Sequence, residues 1–501
     1  MRLEDLLRRS ALAHPDTVAL VDGERRVTYG ELEAASDSLA VSLFSHGVQR
    51  SDRVAVLMDN GVEPAIALFA ILKAGAVAVP VNPALKAEGA AAILADCAPT
   101  LILTQDRLMP LCSRAQEAAG GVVPMLAVPA APEEAAWKIA LPPAGIDIDL
   151  AMAIYTSGST GEPKGVMLTH RSMAAAADSI AAYLESRSDD VVLSALPLAF
   201  SYGLYQLLVT VQTGGRLVLE KSFAFPHQVL ERAAAEGVTT LPLVPTIAAL
   251  LLNLKDRPAL PSLRTITNAG AALGEAQGAE LRRMFPQARI FAMYGLTECA
   301  RATYLDPRDL ALRPTSVGRA IPNTEVYVVD AEGRRARPGA TGELVVRGPH
   351  LMQGYWRRPE ASAAVLKPGA NPWERVLYTG DLFRADAEGY LHFVGRKDDM
   401  LKVRGEKVAP AQVEGAILGC PGVAQAVVVG VADPVLGTAL HAIVVASDGQ
   451  LAARDVLRHC ARALPDHMVP RTVEFRAALP TTASGKVSRR AAATARSEVM
   501  R

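Results

Sequence analysis

Tyr155-Thr-Ser-Gly-Ser-Thr-Gly-Glu-Pro-Lys-Gly165 decides how this chain is read. The apolar run 150–154 before it is short enough for a buried strand, and 171–178 after it reads as the start of a helix. Between them, Gly158, Gly161 and Gly165 free the backbone to turn successive N–H groups toward one point, and such a nest binds anions. The hydroxyls of Thr156, Ser157, Ser159 and Thr160 add donors, and Lys164 adds a mobile positive charge. That combination suits a polyphosphate. A Walker A loop is excluded by spacing, because Lys164 follows Pro163 and precedes Gly165 instead of sitting between Gly and Ser or Thr. A flexible Ser/Gly linker would explain neither the lysine and proline nor a place between a strand and a helix.

At 501 residues the chain exceeds a single hydrophobic core, so two or three domains are expected. Lys+Arg and Asp+Glu each number 52, the formal net charge is zero, and no basic stripe stands out, which argues against nucleic acid as a partner. Cys97, Cys112, Cys299, Cys420 and Cys460 are scattered and never in CxxC spacing, so neither a disulfide framework nor a zinc site is expected. The first ten residues are charged and amphipathic, unlike a signal peptide. The apolar stretch 65–81 is broken by Lys73, Gly75 and Pro80 and is too short to span a membrane. The expectation is a cytoplasmic protein without integral membrane association, monomeric or homodimeric.

Strand candidates at 17–21, 26–28, 54–58 and 77–81 alternate with helix candidates at 29–46 and 62–74, and the alternation resumes over 191–290. That order implies parallel sheets with crossover helices. Residues 120–147, rich in Ala and Pro, read as an irregular connection. Short strands separated by turns over 316–394 predict an antiparallel, barrel-like subdomain. The charged, glycine-bounded stretch 395–407 lies between two apolar blocks, as a domain boundary should. The fold class is therefore α/β. A large N-terminal domain of parallel sheets, 1–396, includes the small β-rich part, and a small α+β domain follows over 397–501.

The 155–165 stretch resembles the phosphate-binding signature of the AMP-forming adenylating enzymes. That superfamily takes in acyl-CoA synthetases, firefly-luciferase-like ligases and the adenylation domains of peptide synthetases. Three later segments resemble it in order and nearly in length: Tyr294-Gly-Leu-Thr-Glu298, Tyr378-Thr-Gly-Asp381 with Gly395-Arg-Lys-Asp398, and Leu479-Pro-Thr-Thr-Ala-Ser-Gly-Lys-Val487. Gly348-Pro-His-Leu-Met-Gln-Gly-Tyr-Trp356 also fits its pattern. Alone, Glu298 would read as a helix cap, Asp381 as a turn residue and Lys486 as an exposed loop lysine. Their joint occurrence along the whole chain is specific, and the resemblance is closest to the acyl-CoA ligases.

The resemblance implies ATP, Mg²⁺ and CoA. It implies that Thr156, Ser157, Gly158, Ser159, Thr160, Gly161 and Lys164 hold phosphate, and that Gly270, Ala271 and Ala272 pack against adenine. Tyr294 and Gly295 would border the nucleotide, Thr297 would reach a phosphate, and Glu298 would ligate Mg²⁺. Asp381 would take the ribose diol, and Arg396 ribose or phosphate. Lys486 would reach the carboxylate and α-phosphate during adenylation. The C-terminal domain would then turn about Asp398, withdrawing Lys486 and presenting Lys402 and Gly405 for thioester formation.

Leu196-Pro-Leu-Ala-Phe-Ser-Tyr-Gly-Leu-Tyr205 is apolar and aromatic, and in the superfamily this place lines the pocket for the acid. Phe200 stands where acyl-CoA synthetases often carry His, and Ser201 where amino-acid-activating domains carry Asp. Without that carboxylate an α-ammonium would be buried unpaired, so an α-amino acid is disfavoured. Phe200, Ser201, Tyr202, Asn268 and Met293 predict a mostly apolar pocket, open to fatty, aryl and short branched acids. The expected reaction joins a small carboxylic acid to AMP and then to CoA. A separate acyl carrier protein is the alternative acceptor. A luciferase-like protein or a non-enzymatic nucleotide sensor are the readings from other classes.

Overall fold

Two mostly parallel sheets carry the N-terminal part of the chain. The computed structural model describes residues 1–128, 145–157, 162–403, 406–433, 437–447, 451–481, 487–489 and 491–493. One sheet runs, in spatial order, Gly354–Tyr355, Pro163–Thr169, Leu150–Ser157, Val77–Val81, Arg53–Leu57, Leu101–Thr104, Met125–Ala127. The other runs Arg319–Ala320, Thr303–Tyr304, Arg289–Tyr294, Thr265–Asn268, Thr240–Leu243, Val191–Ser194, Arg216–Leu219, Val18–Asp22, Arg25–Thr28. Its inner strands pair in parallel, and antiparallel strands close both edges.

A single hydrophobic core takes residues from both sheets, Leu20 and Val54 among them. The helix Val62–Lys73 lies inside it with every residue buried. Its two charged residues survive burial because each is paired. Arg25 Nη1 donates to Glu63 at 2.9 Å, and the Lys73 ammonium lies 2.7 Å from Asp37 and 2.8 Å from Glu33. The strand Val77–Val81 is buried on both faces, as a central parallel strand should be. The apolar stretch 65–81 is thus a core helix and a core strand. Among the described residues no helix is long and apolar enough to cross a membrane.

The structure departs from the expected strand–loop–helix order around the phosphate loop. Pro163–Thr169 is itself a strand, pairing antiparallel with Leu150–Ser157 and placing Thr156 opposite Lys164. Two antiparallel strands thus flank residues 158–161, where a strand and a helix were expected. The strand escaped the sequence reading because no turn signal separates it from the helix that follows. Thr169 ends the strand and also caps the helix His170–Leu184, accepting from Ser172 N while the Ser172 hydroxyl accepts from Thr169 N. Similarly, the connection expected over 120–147 contains the edge strand Met125–Ala127.

The antiparallel region after 316 is a sheet of Glu325–Val329, Thr341–Arg347, Arg375–Ala385 and Leu366–Pro368, with Leu391–Arg396 paired on Arg375–Ala385. Beyond it the chain builds a small separate core from Val403, Val413, Ile417, Val428, Leu440 and Val456. That core lies between the three-stranded sheet Val423–Asp433, Gly437–Ala446, Thr472–Phe475 and the helices Pro410–Leu418 and Ala453–Ala463. All five cysteines are free and buried.

Candidate active site

Tyr355 joins the two sheets at the hairpin of Leu150–Ser157 and Pro163–Thr169. It pairs with Val166 across the Pro163–Thr169 strand, and its hydroxyl donates to Glu298 Oε1 at 2.8 Å. The Lys164 ammonium sits 5.4 Å from the centre of the same ring, a cation–π contact. Lys164 and Glu298 are therefore gathered by one aromatic side chain. Met352 N donates to the Glu298 carbonyl at 2.8 Å and holds the turn. Burial and the neighbouring Glu298 carboxylate push the Tyr355 phenol well above its ordinary range, so it remains a donor. Tyr355 lies inside a stretch that fits the superfamily pattern, but sequence alone assigned it no role.

The turn after the Arg289–Tyr294 strand is tight. A Cβ at Gly295 would lie 2.4 Å from the Ala300 carbonyl oxygen and 2.8 Å from the Arg301 Cα, so only glycine fits. This packing sets Thr297 and Glu298, both half-buried, at the end of the strand. Burial pushes the adjacent Cys299 thiol up to about 12, which removes it as a nucleophile. Glu298 is a hard oxygen donor and pairs with no Lys or Arg among the described residues, which fits Mg²⁺. Among those residues no three His, Cys, Asp or Glu side chains cluster as a metal cage. A cation here would rest on one carboxylate, substrate oxygens and water, as Mg²⁺ commonly does.

Asp381 is 6 % exposed and held from two sides. The Tyr294 hydroxyl donates to its Oδ2 at 2.6 Å, and Arg396 Nε lies 3.1 Å from Oδ1. Arg396 is its register partner on the neighbouring strand. Tyr294, expected to border a nucleotide with its ring, has its edge against Phe383, with centroids 4.8 Å apart, and its hydroxyl committed to Asp381.

The small-residue turn after Thr265–Asn268 is pinned by Asn268, whose Nδ2 donates to the Ala271 carbonyl at 3.0 Å. Gly270 adopts φ +87°, and Ala271 and Ala272 are exposed, leaving a bare surface on which a flat ring can lie. Strand alternation puts Asn268 on the face opposite Thr267, and its bond to Ala271 shapes the turn. Phe200 and Ser201 begin the helix Ser201–Thr213 and are half-buried. Asn60 positions the segment before them, donating to the Leu196 and Glu220 carbonyls and accepting from Leu198 N. The Tyr202 hydroxyl meets Thr267 Oγ1 at 2.7 Å, and Met293 is buried with its sulfur accepting from the Tyr183 hydroxyl. Sequence reasoning missed Arg301, a buried residue whose guanidinium stands 4.9 Å from the Tyr202 ring centre.

Asp398 is exposed, and Lys402 is exposed on the hairpin Leu401–Val403/Glu406–Val408. Asp399 is tied to Arg489 Nη1 at 2.6 Å, and Arg489 also grips Glu414. A bridge between Thr481 and Val487 and a bond from Ser488 N to the Pro480 carbonyl close the base of the segment that carries Lys486. Lys486, Gly405, Gly158, Ser159, Thr160 and Gly161 lie outside the described residues, as does the Ser157 side chain.

Residues 7–356 match the family described as AMP-binding enzyme, and 412–486 match the AMP-binding enzyme C-terminal domain. A feruloyl-CoA synthase of Amycolatopsis sp is 37 % identical over 487 residues, covering 96 % of this chain and 96 % of that protein. A linear gramicidin synthase of Brevibacillus parabrevis is 32 % identical over 97 % of this chain, which spans only 9 % of that protein. The o-succinylbenzoate CoA synthetase of Bacillus subtilis, solved with its acyl-adenylate intermediate, superposes with a TM-score of 0.86 at 30 % identity, covering 97 % of each chain. The same protein solved with ATP and magnesium ion gives the same TM-score.

Proposed function

This chain belongs to the family of AMP-binding enzymes, and from that premise we propose how its own residues divide the work of an AMP-forming acid–CoA ligase. The reaction class is a carboxylic acid joined to AMP with release of pyrophosphate, then transferred to CoA. Adenylation brings a carboxylate against an anionic phosphate, so placement and positive charge must supply most of the rate.

Lys164 and the 156–161 loop hold the β- and γ-phosphates. Asp381, oriented by Tyr294 and Arg396, accepts the ribose hydroxyls, and the bare turn 270–272 takes the adenine. Glu298, turned by the Tyr355 hydroxyl, is the carboxylate for Mg²⁺. When bound, Mg²⁺ offsets phosphate charge and stabilises the departing pyrophosphate. Lys486 reaches the attacking carboxylate and the transferring phosphoryl oxygens. Asp398 is the pivot between an N-terminal part, 1–396, and a C-terminal part, 397–501. Turning about it exchanges Lys486 for the face that carries Lys402 and Gly405. The cytoplasm, which supplies ATP and CoA, is the compartment of this proposal.

The observation that carries the reading is the meeting of Lys164, Tyr355 and Glu298. Two segments expected to hold phosphate and cation converge on one side chain. The experiment is Lys486→Ala assayed in both half-reactions. Acyl-AMP formation should fall by on the order of 10²–10³-fold, while supplied acyl-AMP is still converted to acyl-CoA. Survival of both half-reactions, or equal loss of both, would remove Lys486 from its role.

A further inference from the structure

Arg301 is 4 % exposed and carries a full charge into the interior. The tight turn at Gly295 fixes its Cα. Its guanidinium faces the Tyr202 ring at 4.9 Å and lies beside the Tyr183 hydroxyl. Tyr202 reaches Thr267 at the end of one strand, and Tyr183 reaches Met293 at the end of the next. By the superfamily resemblance Tyr202 and Met293 border the place for the acid's tail, and Arg301 follows Glu298 by three residues.

Among the described residues no carboxylate supplies this cation with a counter-charge. Its Nε has no hydrogen-bond partner, and no Asp or Glu among the described residues pairs with it. Elsewhere the same fold pairs what it buries: Lys73 has Asp37 and Glu33, and Glu63 has Arg25. Aromatic faces and hydroxyls reduce the cost of a buried cation but bring no negative charge. A purely apolar acid would bury the guanidinium further and leave Nε without an acceptor, which is unfavourable. A carboxylate matches its planar fork of donors.

We infer that the acid activated by this chain carries a second carboxylate, remote from the reacting one, and that Arg301 selects it. The inference rests on the acyl-AMP reading above and replaces the mostly apolar pocket expected from sequence.

The test is pyrophosphate release measured with matched pairs of mono- and dicarboxylic acids of equal carbon number, straight-chain and aryl, for wild type, Arg301→Met and Arg301→Lys. Wild type should favour the dicarboxylate of one length in kcat/KM by on the order of 10²-fold, as a hydrogen-bonded charge pair warrants. Arg301→Met, close in length but uncharged, should collapse that ratio mainly through KM, because a remote group is held alike in ground and transition states. Arg301→Lys should keep part of the ratio. Melting curves with and without ATP establish that each variant is folded and binds nucleotide. If the Met variant fails to fold, the wild-type ratio and the Lys variant decide. Equal or better use of monocarboxylates by wild type, or an unchanged ratio in a folded Met variant, overturns the inference while pyrophosphate release upholds adenylation. Release with no acid of either series brings down the acyl-AMP reading and the inference with it.

Discussion

Replacing Tyr294 with Phe removes one oxygen from the proposed ribose site and leaves the ring in place. In the native protein that hydroxyl donates to Asp381 at 2.6 Å, and burial beside the carboxylate holds the phenol far above its ordinary range, so the proton stays on. Without it, the Asp381 carboxylate is free to turn toward Arg396, its ion-pair partner at 3.1 Å, and away from the nucleotide. Recovering the productive orientation then costs ATP binding up to the value of the lost bond. A hydrogen bond to a charged group is worth about 1.5–3 kcal/mol, so the KM for ATP should rise about 10- to 150-fold. The ribose contact is made alike before and during the reaction, so kcat should stay within about threefold. The assay is pyrophosphate release against ATP concentration, with calorimetric ATP binding as the equilibrium check. An ATP affinity within twofold of wild type would mean that Tyr294 acts through its ring alone, and would refute the role given to its hydroxyl.

The N-terminal helix carries a second prediction, about stability. Glu4 is wholly buried, with Oε1 3.2 Å from Arg2 Nε and Oε2 3.4 Å from His170 Nδ1, which already accepts from Leu3 N. Burial pushes the Glu4 carboxyl up from 4.5 to about 7, against the opposing pull of Arg2 and Arg8, and pushes His170 down from 6.5 to about 4. Because the Glu4 value is raised by folding, its contribution is full below pH 4.5 and is lost as pH rises through 7, a change of about 3 kcal/mol. His170 has the opposite sign: its contribution is present above pH 6.5 and is lost as pH falls through 4. Glu4→Gln should therefore gain Tm on wild type between pH 5 and pH 8; a difference that stays flat with pH would count against the buried carboxyl. A third prediction concerns the proposed pivot, where Asp398→Pro should spare acyl-AMP formation and slow thioester formation by on the order of 10²-fold or more. Equal loss of both half-reactions would argue against rotation about this residue.

The parallel core was legible because its pattern is local. The run 62–81 is too apolar and too short for anything but a buried helix and strand, and the structure places both within a residue or two of the expected bounds. The Pro163–Thr169 strand was not legible, because its last residue is also the cap of the next helix. The site divides the same way. Motifs located Lys164, Glu298 and Asp381, but which side chains meet them is a matter of register and sheet order. Arg396 reaches Asp381 as a cross-strand neighbour, and Tyr355 reaches Glu298 from the edge of the other sheet. Neither pairing has a signature in spacing. Arg301 lay three residues past Glu298 in plain view, yet an arginine in sequence is by default a surface residue, and only its burial with no carboxylate partner among the described residues shows otherwise. Met293 and Asn268 were expected to line the pocket. In the structure the Met293 sulfur accepts from Tyr183, and Asn268 braces the turn that runs through Ala271.

Acid-dependent pyrophosphate release with Mg·ATP, measured with and without CoA and with acyl-CoA quantified alongside, tests the central claim most directly. The account predicts release that requires a particular class of acid, is accelerated by CoA, and matches the acyl-CoA formed mole for mole. Release with no acid tried would contradict it. So would an acyl-AMP that accumulates and is discharged to an acyl carrier protein while CoA leaves it untouched.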